Sequence, residues 1–392
     1  MNSFVSRMDG VQAPVIPLVG QLVAANPGTI SLGQGIVFYS PPPSAIAALS
    51  EGLADPSNHQ YKPVQGIQPL LQAIATKLQQ DNGIGVEPSK NAVFVTAGAN
   101  MAFMNALLAI TSPGDEIILN TPYYFNHEMA IRMADCQPVL VPTDGNYQLQ
   151  LEAIAAAITP KTRAMVTISP NNPTGAVYPE SALREVNQLC RDRGIYHISD
   201  EAYEYFTYEG VKHFSPAAIP DSQAYTISLF SLSKAYGFAG WRIGYMVVPA
   251  HLFLAIQKIQ DTILICPPVM SQYAAYGALK TGSSYCQPYL EEIYQNRRFF
   301  LKSLTQIRDL CTVIPTQGAF YFFLKINTTL SDFELVKRLI EKYGVATLPG
   351  STFGMTDGCY LRVAYGALRQ ETAYQGIERL VTGLRELQSF SA

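Results

Sequence analysis

Short apolar strand patterns alternate with helix patterns between residues 92 and 199, and this alternation constrains the fold more than any other feature of the sequence. The apolar runs predict strands at residues 92–96, 116–120, 164–169 and 196–199. The stretches between them predict helices at residues 99–110, 126–133 and 180–193. Short apolar strands separated by helices are typical of a parallel sheet covered on both faces. The predicted fold class is therefore α/β with a mostly parallel sheet.

The N-terminal region predicts a different kind of structure. Residues 1–45 are rich in Pro and Gly and end close to three consecutive prolines, so they predict an extended arm. Helices are predicted at residues 44–53 and 68–80. We expect this arm to form part of a smaller domain that lies beside the main sheet.

The last third of the chain predicts the rest of that smaller α+β domain. A long helical region runs from Ser271 to about Gln306, with breaks expected near Gly282 and Pro288. Strands are predicted at residues 320–325 and 360–364. We therefore expect three parts: the arm with part of the small domain (1–45), a large domain (46–285) and a small C-terminal domain (286–392).

Composition excludes several classes of function. The net charge of −3 gives no general attraction to nucleic acid or to an anionic membrane surface. The apolar stretch at residues 11–25 is interrupted by Pro, Gly and Gln, and no window approaches the ~20 apolar residues of a membrane span. The six cysteines show neither CxxC nor metal-finger spacing. We expect a soluble cytoplasmic protein without a bound metal, whose cysteines are small core residues.

Lys234 is the residue that carries most chemical information. It stands among small residues, serines and glycines, where a lysine is poorly placed to be a solvated surface charge. Such a site can hold the amine next to a bound carbonyl and lower its pKa, as Schiff-base chemistry requires. Arg242 follows eight positions later and offers a planar set of donors suited to a phosphate. An aldehyde-reactive amine beside a phosphate clamp suggests pyridoxal 5′-phosphate (PLP).

A candidate phosphate site lies where the strand at residues 92–96 gives way to the next helix. The free N–H groups and the positive end of the helix dipole converge there, and Gly98 and Ala99 are small enough for a phosphate to approach the backbone. An ordinary turn between strand and helix is the alternative. Walker A and GxGxxG patterns are absent from the sequence, so neither ATP nor NAD has support.

Polar residues follow two further strands of the predicted sheet. Asp200 ends the apolar run at 195–199, at an edge where ligands bind in parallel sheets, and its carboxylate could pair with a pyridinium nitrogen. Alternatively, it could cap a following helix. Asn172 precedes a proline after the strand at 164–169, and its amide could bind a ring hydroxyl, although a simple Pro-Gly turn is also consistent.

Arg362 stands within an otherwise apolar strand near the C-terminus. A buried arginine needs an anionic partner, and a substrate carboxylate could bind it through two parallel hydrogen bonds. An internal salt bridge is the alternative at this position.

Together these motifs resemble a known family over essentially the whole chain. The chain is similar to fold-type I PLP enzymes of the class I/II aminotransferase family, through Tyr61, Gly98-Ala-Asn100, Tyr124, Asn172-Pro-Thr-Gly, Asp200-Glu-Ala-Tyr203, Ser231-x-x-Lys234, Arg242 and Arg362. The resemblance implies a seven-stranded sheet in a large PLP-binding domain, and a small domain built from the arm and the C-terminal third.

The resemblance also implies roles for the residues around the cofactor ring. Lys234 would form a Schiff base with PLP and move the substrate proton. Asp200 would bind the pyridine nitrogen, Asn172 and Tyr203 the ring hydroxyl, and Tyr124 would stack on the ring. The phosphate would be held by Gly98, Ala99, Asn100, Ser231 and Arg242, with Tyr61 reaching it from the partner subunit of a homodimer.

For the substrate, the resemblance implies that Arg362 binds the α-carboxylate, with Asn172 and the backbone near Gly35 beside it. His127 resembles the partner of the aspartate, although a structural role remains open. In dicarboxylate-specific relatives an arginine before the long interdomain helix commonly meets the distal carboxylate, whereas residues 260–268 contain no cation here. Residues 36–39 are apolar and aromatic. We therefore expect a neutral L-amino acid, aromatic, sulfur-containing or aliphatic, as amino donor and a 2-oxo acid as acceptor.

Two rival functions remain open at this point. A PLP-dependent C–S β-lyase would use the same lysine on the same fold, and would release ammonia and pyruvate from cystathionine without a 2-oxo acid. A PLP-sensing transcription regulator would need an added DNA-binding segment. The sequence enters the arm and the large domain almost at once and shows no basic helix-turn-helix, which disfavours a regulator.

Overall fold

The computed structural model describes residues 6–389, with side chains through residue 387. The α-helices of this part of the chain are α1 (Val15–Ala25), α2 (Pro43–Ala54), α3 (Gln68–Lys77), α4 (Ala99–Ile110), α5 (Phe125–Met133), α6 (Leu151–Ala157), α7 (Glu180–Arg193), α8 (Leu232–Ala235), α9 (Phe253–Leu264), α10 (Val269–Thr281), α11 (Gln287–Leu304), α12 (Asp332–Tyr343) and α13 (Gln370–Ser389). The strands are β1 (Ile30–Ser31), β2 (Asn91–Thr96), β3 (Glu116–Thr121), β4 (Gln137–Pro142), β5 (Thr162–Ile168), β6 (Tyr196–Asp200), β7 (Thr226–Ser231), β8 (Gly244–Pro249), β9 (Cys311–Thr312), β10 (Tyr321–Ile326), β11 (Val345–Ala346), β12 (Leu348–Pro349) and β13 (Cys359–Ala364).

A seven-stranded sheet forms the centre of the molecule, in the order β2-β8-β7-β6-β5-β3-β4. The neighbours from β7 to β4 pair in parallel, whereas β8 runs antiparallel to both β2 and β7. Every residue of β2 and β8 is buried, and burial on both faces explains the apolar run by which the sequence predicts β2. The predicted α/β class with a mostly parallel sheet is confirmed.

One edge of this sheet collects the ends of several strands. β5, β6 and β7 are consecutive neighbours, and because they are parallel their carboxyl ends lie side by side. β8 runs the other way, so its first residue, Gly244, is at the same edge. Side chains that are far apart in the sequence therefore meet there.

The C-terminal third forms a smaller antiparallel sheet, in the order β12-β13-β10-β9. The N-terminal region contributes to a separate two-stranded sheet, in which β1 pairs in parallel with β11. Val15 and Val19 of α1 belong to the same apolar core as the strands of the antiparallel sheet. Residues from both ends of the chain thus share one core.

The extended arm predicted at residues 1–45 is partly wrong. An eleven-residue helix, α1, forms inside it despite Pro17 and Gly20. Pro17 lies in the first turn, where the missing N–H costs no intrahelical bond, and burial of Val15 and Val19 offsets the low helix propensity of Gly20. Tertiary packing therefore determined the helical conformation of this segment.

The helices around residue 288 also differ from the prediction. The expected break near Gly282 is present, because α10 ends at Thr281 and a short 3-10 turn follows. Pro288 does not interrupt a helix. It lies in the first turn of α11, a position that suits proline.

Several elements besides α1 had no counterpart in the prediction: the helices α6, α8, α9, α12 and α13, the strands β4, β7 and β8, and the two-residue strands β1, β9, β11 and β12. β4 is an outer strand of the sheet that contains two prolines and exposed residues, so it lacks a strong apolar pattern. Within residues 6–389 no helix combines the length and apolar character needed to cross a membrane.

Candidate active site

A cavity of about 170 Å³ opens at the sheet edge where the carboxyl ends of β5, β6 and β7 meet. It brings together most of the predicted site residues. Its wall is formed by Ala99, Asn100, Tyr124, Ile168, Asn172, Asp200, Ala202, Tyr203, Ser231, Ser233, Lys234 and Arg242. Gly98, Gly35 and Arg362 stand directly behind this wall, and Tyr61 lies away from it.

Lys234 lies on α8, a helix of only four residues that follows β7. The Ser231 hydroxyl starts this helix by accepting a hydrogen bond from the backbone N–H of Ser233 at 3.1 Å. Burial, together with the charges of Arg242 and Arg362, lowers the pKa of Lys234 to about 8, against the attraction of Asp200, which raises it. A substantial fraction of this amine is therefore neutral near physiological pH and can act as a nucleophile.

Asp200 is the carboxylate of the cavity. It is buried, and its Oδ2 lies 3.1 Å from His127 Nε2. Its Oδ1 accepts a hydrogen bond from the backbone N–H of Ala202, in a segment that forms turns and no helix. The helix-capping alternative therefore does not apply. The His127 ring is itself held against Phe103, with ring centroids 4.0 Å apart.

The predicted phosphate site lies at the first turn of α4. Gly98 precedes this helix with φ of +84°, a conformation that favours glycine. A Cβ at Gly98 would lie 2.5 Å from Arg242 Nη2, so a larger residue would displace the guanidinium. The first N–H groups of a helix have no partner within it, and the Ser231 hydroxyl and the Arg242 guanidinium border the same cavity. The turn is therefore shaped to admit an anion.

Arg362, on β13, is buried and reaches the cavity through Asn172. Its Nη1 donates to Asn172 Oδ1 at 2.9 Å and its Nη2 to the backbone oxygen of Gly33 at 2.6 Å. Within residues 6–389 no carboxylate lies within 4.0 Å of this guanidinium, and its Nε has no hydrogen-bond partner. The internal salt bridge considered above is therefore absent from the described part of the chain, and the positive charge is available to an anionic ligand.

Tyr203 and Tyr124 place two aromatic rings at the cavity. The Tyr203 hydroxyl shares a hydrogen bond of 2.7 Å with the hydroxyl of Tyr321. The Tyr124 hydroxyl accepts from Asn126 Nδ2 at 2.8 Å and lies 3.3 Å from Asn100 Oδ1. Both rings are thus fixed by partners on their polar ends.

Tyr61 is the predicted site residue that this chain does not bring to the cavity. Its side chain is 77% exposed. That exposure is compatible with the expectation that it acts across a subunit boundary, since a large aromatic residue left in solvent favours burial against another surface.

Sequence reasoning missed several residues of the site. Tyr321 contacts Tyr203, packs its ring 4.5 Å from the Arg362 guanidinium, and would lie 2.6 Å from a Cβ at Gly35. It stands in the aromatic run at residues 320–323, where nothing distinguishes it from core residues. Ser233 was also missed, because it lies between the two motif residues Ser231 and Lys234 and nothing in the sequence marks it as a site residue.

A second cavity, of about 510 Å³, adjoins the first and shares Ser233 with it. Its wall contains the apolar side chains of Ile36, Val37 and Trp241. The other wall residues are small, and no charged side chain of the described residues lines it: Gly237, Ala239, Gly240 and Ser271.

Comparison with known proteins identifies relatives along nearly the whole chain. The family model described as "Aminotransferase class I and II" matches residues 27–380. The aromatic aminotransferase ISS1 of Arabidopsis thaliana is 32% identical over 390 residues, which cover 97% of this chain and 96% of that protein. A probable aspartate/prephenate aminotransferase of Aquifex aeolicus is 35% identical and covers 94% of each chain. The solved structure of an aromatic aminotransferase from Pyrococcus horikoshii superposes with a TM-score of 0.86 at 31% identity, covering 94% of this chain and 99% of that one.

Proposed function

The chain belongs to the class I and II aminotransferases, and from this premise we propose that it uses PLP, held in the cavity around Lys234, to move the amino group of a neutral L-amino acid to a 2-oxo acid. Four groups with the required chemistry face one cavity or stand directly behind its wall. They are the amine of Lys234, the carboxylate of Asp200, the anion site before α4 and the guanidinium of Arg362.

The residues present fit PLP at its phosphate end. A dianionic phosphate needs N–H donors and positive charge, which the first turn of α4, the Ser231 hydroxyl and Arg242 offer. Gly98 supports this assignment, because any side chain there would collide with Arg242. At the other end, Asp200 is held by His127 and can keep a proton on a ring nitrogen.

When bound, PLP supplies a protonated ring that withdraws electrons from the substrate α-carbon as its proton leaves. The chain supplies placement and proton transfer. Lys234 Nζ, with its pKa lowered to about 8, can carry the proton because its charged and neutral forms are both populated. Tyr203, Asn172 and Tyr124 line the cavity; Tyr203 and Asn172 would hold the ring hydroxyl, and Tyr124 would lie against the ring.

The observation that carries this proposal most directly is the unpaired charge of Arg362. A buried guanidinium without a carboxylate is costly, and the cost is removed when a substrate carboxylate arrives. Every L-amino acid and every 2-oxo acid presents such a carboxylate. The backbone at Gly33 and Gly35 lies beside it and would border the same group.

The neutral side chain of the proposed substrate is supported by the second cavity. Ile36, Val37 and Trp241 would contact an aromatic, sulfur-containing or aliphatic side chain, and this wall has no cation for a distal carboxylate. Relatives named for aromatic substrates, in Arabidopsis thaliana and Thermococcus litoralis, are each 32% identical to the chain. Relatives named as aspartate aminotransferases match at similar identity, so the cavity and not the comparison supports this choice.

A donor panel tests the substrate. Each of twenty amino acids is added alone to the PLP-loaded enzyme, and the loss of absorbance of the lysine-bound cofactor is followed in a single turnover. We expect aromatic and sulfur-containing or aliphatic amino acids to react fastest. Aspartate as by far the best donor would contradict the neutral side chain while leaving the aminotransferase activity intact.

Two variants test the site itself. Borohydride reduction followed by peptide mapping should place the pyridoxyl group on Lys234, and Lys234→Ala should abolish turnover while retaining some cofactor. Arg362→Ala should raise KM for all donors by roughly 10²-fold, because each presents the same α-carboxylate. An adduct found elsewhere, or a loss confined to one class of side chain, would contradict these roles.

A further inference from the structure

Tyr39 is hydrogen-bonded to the backbone of α8, the short helix that carries Lys234. Its side chain is buried, and its hydroxyl donates a hydrogen bond to the backbone oxygen of Lys234 at 2.9 Å, with the backbone oxygen of Ala235 3.4 Å away. Both acceptors belong to the end of α8. A helix of four residues leaves its last carbonyl groups without intrahelical partners, so it depends on donors from elsewhere in the chain.

The donors that reach the end of α8 differ in the length of their hydrogen bonds. The backbone N–H of Gly237 also reaches the Lys234 oxygen, but at 3.3 Å. The hydroxyl of Tyr39 makes the shorter bond, and it comes from 195 residues away in the sequence. Burial raises the pKa of Tyr39 well above its usual value, so the hydroxyl keeps its proton and remains a donor throughout the working pH range.

The ring of Tyr39 is itself fixed. It stacks on Tyr289 with centroids 4.2 Å apart and planes 12° apart, and it meets the edges of Phe38 and Tyr285. A Cβ at Gly237 would lie 2.6 Å from the backbone oxygen of Tyr39, which shows how closely this backbone approaches the end of the Lys234 segment. The hydroxyl therefore has little freedom to leave its acceptor.

Tyr39 also belongs to the segment that borders Arg362, residues 33–40, which we call the arm segment. The backbone oxygen of Gly33 accepts from Arg362 Nη2, and Gly35 lies beside the same guanidinium. Further along, the backbone N–H of Phe38 is bonded to the oxygen of Gly366. The arm segment thus connects the proposed carboxylate site to the helix of Lys234.

We propose that Tyr39 is a positioning residue that couples the arm segment to Lys234: its hydroxyl anchors α8, so that the lysine amine keeps its place while a substrate carboxylate binds between Arg362 and Gly35. The proposal rests on the function assigned to Lys234 and Arg362 above. Tyr39 touches neither the proposed cofactor site nor the substrate, and acts through the backbone of α8.

Tyr39→Phe tests this coupling, because it removes one hydroxyl and leaves the stacked ring. Tyr285→Phe is the matched control. Its hydroxyl comes from the same aromatic cluster and donates to the backbone oxygen of Ser40 at 2.5 Å, so it holds the arm segment without reaching α8. With the PLP-loaded enzyme, Tyr39→Phe should lower kcat about tenfold and change KM by less than about threefold, whereas Tyr285→Phe should leave kcat within about twofold.

A second readout does not depend on activity. The full chain without PLP is labelled with acetic anhydride across a pH series, and acetylation of Lys234 is measured by peptide mass spectrometry. In the unchanged protein the labelling midpoint should lie near 8, where burial places the pKa of Lys234. Tyr39→Phe should move this midpoint upward by at least about half a pH unit as the amine gains freedom and solvent, and Tyr285→Phe should not move it.

The outcomes separate this proposal from the function it rests on. Equal effects of the two variants on kcat and on the labelling midpoint would reduce Tyr39 to a general packing residue and overturn the coupling, as would no effect of either. If Tyr39→Phe binds PLP too weakly for kinetic measurements, the shift of the labelling midpoint still tests the coupling between Tyr39 and Lys234. If borohydride places no pyridoxyl group on Lys234 in the unchanged protein, the proposed function fails, whatever the two tyrosine variants do.

Discussion

At the scale of single residues, the site is organised around an excess of positive charge. Lys234, Arg242 and Arg362 influence one another electrostatically, and Asp200 is the carboxylate that opposes them. Such a cluster is unfavourable when it holds no anion, because the charges of Lys234 and Arg362 lose hydration on burial and are repelled by one another and by the exposed Arg242. A phosphate and a carboxylate ligand together would balance it. The arrangement therefore favours function over the stability of the free chain.

Removal of the Lys234 charge should stabilise the chain without PLP. Burial lowers the pKa of this lysine to about 8 in the folded protein, from 10.5. Below pH 8 the folded state keeps a buried charge. Between pH 8 and 10.5 the unfolded state binds more protons than the folded state, so stability rises with pH in this window. Lys234→Met should therefore be more stable than the unchanged protein at pH 7, by about 3 kcal/mol, and the difference should shrink toward pH 10.5.

Urea unfolding at several pH values measures this difference. Lys161→Met provides the control, because Lys161 is exposed and its replacement should change stability by less than about 0.5 kcal/mol at any of these pH values. A Lys234→Met difference that does not vary with pH would contradict a lowered lysine pKa.

At the scale of elements, a buried polar network connects the turn after β6 to α3. Asp200 at the end of β6 and Tyr203 in this turn line the cavity, while Glu204 of the same turn forms an ion pair with Lys77 of α3. Asn82 donates to the same carboxylate at 2.8 Å. Both partners of the ion pair are less than a tenth exposed. Because a buried charge needs its partner, the network fixes the turn relative to α3.

Lys77→Met should destabilise the protein strongly, because it leaves the Glu204 carboxylate buried with only a neutral donor. We expect a loss of about 3–5 kcal/mol in the free energy of unfolding. Lys90→Met removes a similar ion pair, to Glu87, in which both side chains are more than half exposed, and should cost less than about 1 kcal/mol. Similar losses in the two variants would show that burial does not set the strength of the Lys77 pair.

At the scale of the whole molecule, the N-terminal region and the C-terminal third pack together on one side of the site. The backbone N–H of Leu32 bonds to the oxygen of Ala346 at 2.8 Å, and the backbone N–H of Ala364 bonds to the oxygen of Leu32 at 2.7 Å. The arm segment is thereby held between the small sheet and the cavity. This placement brings Gly33 to Arg362.

Hybrid dimers should test whether a second copy of the chain completes the site from the other side, as the family resemblance implies for Tyr61, which is exposed in the single chain. Tyr61→Ala and Lys234→Ala chains, each impaired alone, are unfolded together and refolded as a mixture. A hybrid dimer then contains one site with both native residues, so activity should exceed the sum of the separate variants severalfold.

A control mixture pairs Lys234→Ala with Arg242→Ala. Both residues line the cavity of a single chain, so no hybrid contains a complete site and activity should not recover. Recovery in the control alone, or equal failure of both mixtures in confirmed hybrid dimers, would contradict a site shared between subunits.

The sequence by itself determined the parts of this protein that depend on neighbouring residues. The bounds of α4 and α7 match the helix patterns residue for residue, since periodicity is a local signal. Lys234 could likewise be singled out from the small residues, serines and glycines around it, and Asp200 because it ends the apolar run at 195–199, at an edge where ligands bind in parallel sheets. These predictions needed no knowledge of which distant segment would pack against them.

Only the tertiary structure decided the contacts between distant segments. Arg362 meets Asn172 across 190 positions and Gly33 across 329, and neither pairing leaves a trace in local periodicity. Tyr39 and Tyr321 look like core aromatics in the sequence, and their hydroxyl groups acquire partners only when the arm meets α8 and β10 meets the turn after β6. Side-chain chemistry is encoded locally, whereas the free energy that places one group against another comes from packing of the whole chain.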